Sequence, residues 1–103
     1  MIRVSVMYPY TEGKKFDIDY YSDKHIPLCL ENFGAACKGV TVDQGLGGAE
    51  PGSKPSFVGM CHFLFDSADT FQGAMTPHAE AIMGDIPNYT DIQPIIQISQ
   101  VKM

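Results

Sequence analysis

Positive charge is scarce in this chain. Seven lysines and arginines stand against twelve aspartates and glutamates, for a net charge of −5, and the seven form neither a run nor a stripe. Nucleic-acid binding needs a basic footprint that displaces counterions from phosphates, so nucleic acid is not expected as a partner. Cysteine is sparse too. Cys29, Cys37 and Cys61 are odd in number and far apart, which suits reduced thiols better than a disulfide framework. No CxxC pair or HExxH sequence suggests zinc, and neither the cysteines nor Ser22 sit in a recognisable nucleophile motif, so covalent catalysis is not expected. No apolar stretch approaches the roughly 18 residues that cross a bilayer, which argues against a membrane partner. Met1-Ile2-Arg3-Val4-Ser5 has a charge inside its apolar run and no cleavage site, unlike a signal peptide. A cytoplasmic location is the expectation, and the Asn88-Tyr89-Thr90 glycosylation sequon is set aside with it. A GxGxxG or phosphate-loop pattern is missing as well: Gly45-Leu46-Gly47-Gly48 follows a strand but leads into a proline-containing loop, so no cofactor is expected.

What remains is the composition of a small folded domain. The chain has 103 residues, 45% hydrophobic and 18% charged, enough for one core and too few for two, so residues 1–103 read as one domain. A chain this short hides only somewhat more than ~60% of its unfolded surface, so self-association would add materially to its stability.

Alternation marks the strands. Ile2, Val4, Val6 and Tyr8 alternate with Arg3, Ser5 and Met7 up to Pro9. A β-branched run from Val40 to Leu46 makes a second strand, and Ser56 to Phe65 a third. In that third strand Phe57, Gly59, Cys61, Phe63 and Phe65 lie on one face, and Ser56, Val58, Met60, His62 and Leu64 on the other. Ile95 to Val101 makes the fourth. Helix signals fill the gaps. Asp17 reads as an N-cap, with Phe16 as a hydrophobic staple on Tyr21; the helix should run to about Phe33, kink near His25 because of Pro27, and close on a left-handed Gly34. Ser67 caps a second helix with Phe71, Ala74, Met75 and Ile82 as its buried stripe. Thr76-Pro77 should split it into two short helices, as a new cap followed by proline at the first helical position, and Gly84 should end it.

The order strand, helix, strand, strand, helix, strand predicts an α+β, ferredoxin-like βαββαβ domain: a four-stranded antiparallel sheet with both helices on one face. Val58, Met60 and Leu64 project from one face of the third strand and the more aromatic set from the other; whichever face meets the helices, the remaining one carries apolar surface that a second copy of the chain could bury.

Among residues able to do chemistry, His25 comes first, because imidazole titrates near neutrality and serves as acid or base. Pro27 leaves a carbonyl about one turn back without its donor, so His25 sits near polarity in an otherwise apolar helix; it could equally satisfy local backbone groups. Asp85, Tyr89 and Asp91 offer two carboxylates and a phenol beside the sheet edge, with turn bonds for the aspartates and ordinary core for the tyrosine as the plain alternatives. His62 could face a ligand or a subunit interface, or be a satisfied structural histidine, and His78 suits a pocket rim. Tyr8, Tyr20 and Gln97 complete the candidate ligand contacts. His25 and Cys29, four apart, would share a helix face, but the proline between them distorts the spacing and no second ligand pair exists, so no metal is expected.

Three segments resemble the EthD family, named for the degradation of ethyl tert-butyl ether, within the dimeric α+β barrel superfamily. They are Tyr20-Tyr21-Ser22-Asp23-Lys24-His25-Ile26-Pro27-Leu28, His62-Phe63-Leu64-Phe65-Asp66-Ser67 and Asp85-Ile86-Pro87-Asn88-Tyr89-Thr90-Asp91. The resemblance implies a homodimer whose sheets pack face to face, with a small-molecule pocket between sheet and helices in each subunit. The expected activity is cofactor-free chemistry on a small hydrophobic molecule of aromatic, polyketide or xenobiotic origin, with His25 as acid or base, helped by Asp85 or Tyr89. The alternative is a non-catalytic carrier, or an accessory protein for a degradative oxygenase system. Because one fold hosts unrelated chemistries, resemblance alone does not choose between them.

Overall fold

The computed structural model describes all 103 residues. Strand β1 (Ile2–Pro9) leads through a loop to α1 (Ile18–Tyr20), a π-helical turn (Tyr21–His25), α2 (Ile26–Phe33) and a short 3-10 turn. Strands β2 (Gly39–Gln44) and β3 (Phe57–Phe65) follow, then α3 (Ala68–Met75), a 3-10 joint (Thr76–His78), α4 (Ala79–Asp85), a second 3-10 turn (Ile86–Asn88) and β4 (Ile95–Gln100). The sheet order is β2-β3-β1-β4, every pair antiparallel. This is the expected ferredoxin-like α+β arrangement. No helix is long and apolar enough to cross a membrane.

Local chemistry accounts for the elements. The Asp17 side chain accepts from the Tyr20 amide at 3.1 Å, and the Phe16 ring meets Tyr21 at 5.2 Å, so cap and staple both form. Gly34 closes α2 at φ +59°, a conformation that costs a residue with a Cβ about 1 kcal/mol or more. The expected kink takes the form of the π turn: it ends just before Pro27, and the Ile26 amide reaches back to the Tyr21 carbonyl. Widening the helix by one residue accommodates the missing proline donor. The Ser67 hydroxyl accepts from the Thr70 amide at 3.1 Å to start α3. Thr76-Pro77 divides the second helix as expected, through a 3-10 joint rather than a fresh cap at Thr76. Gly84 does not end α4: it lacks a positive φ, and the helix continues to Asp85 before tightening into the 3-10 turn.

The helices cover the aromatic face. Cys61, Phe63 and Phe65 of β3 are buried there beside Val4 and Tyr8 of β1, under Tyr21, Ile26, Cys29, Phe33 and Ile82. Phe33 packs edge-on against both Phe63 and Phe65 at 5.3 Å, and each buried phenylalanine contributes about 1.5–3 kcal/mol. Gly59 sits in this face beside Tyr8, and a Cβ there would lie 2.7 Å from the Phe16 ring, so glycine lets Phe16 cover the end of the sheet.

The opposite face is less apolar than β3 alone suggests. Strand register lines up Thr41, His62, Ser5 and Gln97 in one polar row across all four strands. Apolar residues flank it: Met60, Met7 and Ile95 on one side and Leu64 on the other. The alternation of β3 supplied Val58, Met60 and Leu64, while the hydroxyl and amide neighbours come from other strands and enter only through pairing.

Candidate active site

The site is a cavity of ≈ 70 Å³ between the helix-side sheet face and the helices. That is room for a small organic molecule or a few waters, since one water needs about 10–15 Å³ on the same measure. Val4, Val6 and Tyr8 form its floor, while His25, Cys29 and Ile82 are among the residues that roof it. Met83 and Ile96, 48% and 53% exposed, mark its mouth between α4 and the edge strand β4. Fourteen of the sixteen lining residues are hydrophobic, so the cavity wall is almost wholly apolar.

His25 is the polar exception, and its surroundings assign its state. It is 4% exposed, stacked on Tyr21 at 5.7 Å and 16° and tilted against Tyr89 at 4.6 Å. Its Nδ1 lies 2.9 Å from Asp85 Oδ2. The Asp85 carboxylate also accepts from the Tyr20 hydroxyl at 2.8 Å and from the Asn88 side-chain amide at 2.9 Å. Burial works to raise Asp85, but the bonds from Asn88, His25 and Tyr20 outweigh it and hold the carboxyl below its ordinary range. A carboxylate can only accept, so Nδ1 carries the imidazole proton. Burial pushes His25 below its ordinary value near 6.5 against the pull of Asp85. At neutral pH the ring is therefore neutral and Nε2 is a free base. That nitrogen lies 3.6 Å from Cys29 Sγ, and both residues line the cavity.

A tyrosine cluster backs the dyad. The Tyr8 and Tyr89 hydroxyls are 2.5 Å apart and buried, and desolvation raises both phenols, Tyr8 to about 12. Both stay protonated, so the pair holds two protons and spends one on their shared bond. Tyr8 lines the cavity; Tyr89 stands behind it, against Tyr8 and His25.

The candidate residues therefore fall into groups. His25, Asp85, Tyr89, Tyr8 and Tyr20 come together at one end of the cavity, drawn from three separate parts of the chain. Asp91 is exposed, accepts from the Lys15 amide at 2.8 Å and does not line the cavity, but borders an open groove that shares Met83, Ile86, Pro94 and Ile96 with it. His78 lies in the 3-10 joint, half-buried and away from the lining. His62 and Gln97 are on the opposite sheet face: His62 Nδ1 lies 2.7 Å from the Ser5 hydroxyl, and Gln97 donates to Ser99 at 3.0 Å. Two participants escaped the reading of the residues alone. Asn88, which holds Asp85, had no signal beyond its place in the third EthD-like segment. Cys29 had one, the i,i+4 spacing from His25, which was weighed only for a metal.

Comparison with known proteins agrees with this architecture. An EthD domain model matches residues 12–93. An EthD-like protein from Ralstonia eutropha JMP134 is 52% identical, covering 99% of this chain and 92% of that one, with a TM-score of 0.96. An ethyl tert-butyl ether degradation (EthD) family protein from Bacillus halodurans C-125 is 20% identical over 99% of each chain, with a TM-score of 0.75. A dimeric ferredoxin-like protein of unknown function from Thermobifida fusca YX shares the fold at 13% identity and a TM-score of 0.59, over 97% of this chain and 90% of that one. None of the curated proteins compared matches the chain. The family match spans most of the chain, including His25, Asp85 and Tyr89, and this protein belongs to the EthD family.

Proposed function

We propose that this chain binds a small, uncharged, hydrophobic molecule beneath its helices and moves a proton on it without a cofactor. His25 Nε2 is the base, Asp85 holds the ring and its tautomer, and Tyr8, through the phenolic proton not spent on Tyr89, donates to the carbonyl oxygen on which charge develops. The observation that carries the reading is the buried His25 ring, held from behind by Asp85, opening onto an apolar cavity. A neutral imidazole with one nitrogen fixed on a carboxylate presents the other as a base of matched strength, and such groups contribute typically 10²–10⁴-fold to a proton transfer. Asp91, His78, His62 and Gln97 are outside this machinery.

The active unit in this reading is a homodimer joined through the open sheet faces, where Met7, Met60, Leu64 and Ile95 flank the polar row. The dimeric description of the Thermobifida fusca protein, which shares the fold, supports a dimer.

Deuterium uptake from heavy water into cyclohexanone, an apolar ring with acidic C–H bonds beside its carbonyl, tests the reading. Mass spectrometry should show uptake accelerated by the protein and returned to the uncatalysed rate by His25→Gln, with the variant's circular dichroism unchanged. Uptake equal in the two proteins refutes His25 as the base. A bound ring recovered without deuterium from the wild-type protein points instead to a carrier, of the kind that would serve a degradative oxygenase.

A further inference from the structure

Cys29 was not expected to react, yet its Sγ lies 3.6 Å from the free nitrogen of a histidine whose other nitrogen is 2.9 Å from a carboxylate. Thiol, imidazole and carboxylate thus stand in line, in the order of a nucleophilic triad. The helix builds most of it. His25 closes the π turn, Cys29 follows four residues later in α2, and both are buried and line the same cavity.

We infer that Cys29 is a nucleophile that adds reversibly to small apolar α,β-unsaturated ketones bound in the cavity. In the step, the Cys29 S–H bond breaks and its proton passes to His25 Nε2. The sulfur forms a bond to the β-carbon of the enone, and the alkene's π electrons move onto the α-carbon and carbonyl oxygen. The imidazolium then returns the proton to the α-carbon. No oxidant or reductant enters, and reversal releases the enone. The inference rests on the same His25–Asp85 base as the proposed proton transfer and adds a covalent partner to it.

The other two thiols make the contrast. Cys37 is half-buried and donates to the Gly39 carbonyl at 3.3 Å, with no imidazole in contact. Cys61 is wholly buried in the sheet and is not part of the cavity lining. Burial raises Cys29 from an ordinary value of 9.0 to about 12, so its spontaneous thiolate fraction falls about a thousandfold. An unassisted Cys29 would be slower than Cys37. A faster Cys29 requires the base beside it, which makes relative reactivity a direct reading of the triad.

The test uses intact-protein and peptide mass spectrometry at pH 7 with 2-cyclohexen-1-one, and iodoacetamide as a polar reagent. The enone should modify Cys29 at least tenfold faster than Cys37. His25→Gln should remove that advantage while leaving the Cys37 rate as it was, and Cys29→Ala should abolish the fast adduct and leave only the slow one at Cys37. Modification of Cys37 ahead of Cys29, a Cys29 rate unmoved by His25→Gln, or no adduct would each overturn the inference. Cyclohexanone, of matching size but without the alkene, separates the two proposals. Deuterium uptake into it without any enone adduct overturns the covalent step alone; an adduct that depends on His25, without uptake, overturns the proton transfer to ketones alone.

Discussion

A histidine lies against each face of the sheet, His62 on a strand and His25 on the helix above, and the two rings differ in solvation. His25, over the helix-side face, is almost fully desolvated, fixed on a carboxylate and ringed by tyrosines. His62, on the open face, is half-exposed and shares a 2.7 Å bond with the Ser5 hydroxyl. The same side chain is thus given a charged partner and an apolar wall on one side, and a neutral partner in a polar row on the other. Desolvation shifts the proton equilibrium of His25 and sharpens its electrostatic interactions. The proposed chemistry therefore belongs to the His25 side, and the proposed contact between copies to the His62 side.

The contrast can be pressed hardest at Asp85. Asp85→Asn removes the acceptor that selects the Nδ1–H tautomer, and deuterium uptake into cyclohexanone should fall by about 10²–10⁴-fold, a loss of the size seen when an orienting aspartate is removed from a histidine base. Next comes packing. Phe65→Ala empties a wholly buried site on the helix side and should cost about 3–5 kcal/mol in urea unfolding. On the open face, Leu64→Ala should cost less at low protein concentration and more as concentration rises, because a dimer's stability includes its association. A cost for Leu64→Ala that is flat with concentration would break the assignment of that face. Tyr89→Phe removes one hydroxyl of the buried Tyr8–Tyr89 pair and should cost about 1–3 kcal/mol, again read by urea unfolding.

The smallest effect is on the pH dependence of stability. His25 has its folded value pushed below its ordinary one, so the unfolded chain binds a proton first as pH falls. Stability should decline from about pH 6.5 downward until the folded value is passed, and His25→Gln should flatten that slope. Asp85, also held below its ordinary value near 3.8, contributes stability present above that value and lost as pH falls further. Thermal melting between pH 7 and 3 reads both windows; a melting temperature that rises on acidification from pH 7 would contradict the assigned state of His25.

The legible parts were those written in short range. Asp17 with Phe16, Ser67, Gly34 and the strict alternation of Ile2 to Tyr8 each encode an element through neighbours within one turn or two residues, and each formed as read. Three local readings changed in detail: the expected kink at Pro27 took the form of a π turn, Thr76-Pro77 split the second helix through a 3-10 joint rather than a fresh cap, and Gly84 stayed inside α4 because a glycine ends a helix only where the backbone actually turns left-handed. At the site, His25 and Asp85 could be singled out as chemical groups. Their contact, across sixty positions of chain, could not, nor could the Tyr8–Tyr89 bond between opposite ends of the sequence. Cys29 was visible at the right spacing, but without the carboxylate behind His25 the spacing had no direction.

By itself, then, the sequence determined the βαββαβ order, the two apolar faces of the third strand, and an inventory of candidate side chains, because hydrophobic period and capping are local properties of a chain. Only the tertiary structure decided which face His62 shares with Ser5 and Gln97, and that His25, Asp85 and Cys29 stand in one line at an apolar cavity. Register and helix docking set those distances, and both come from packing of the whole sheet against residues remote in sequence.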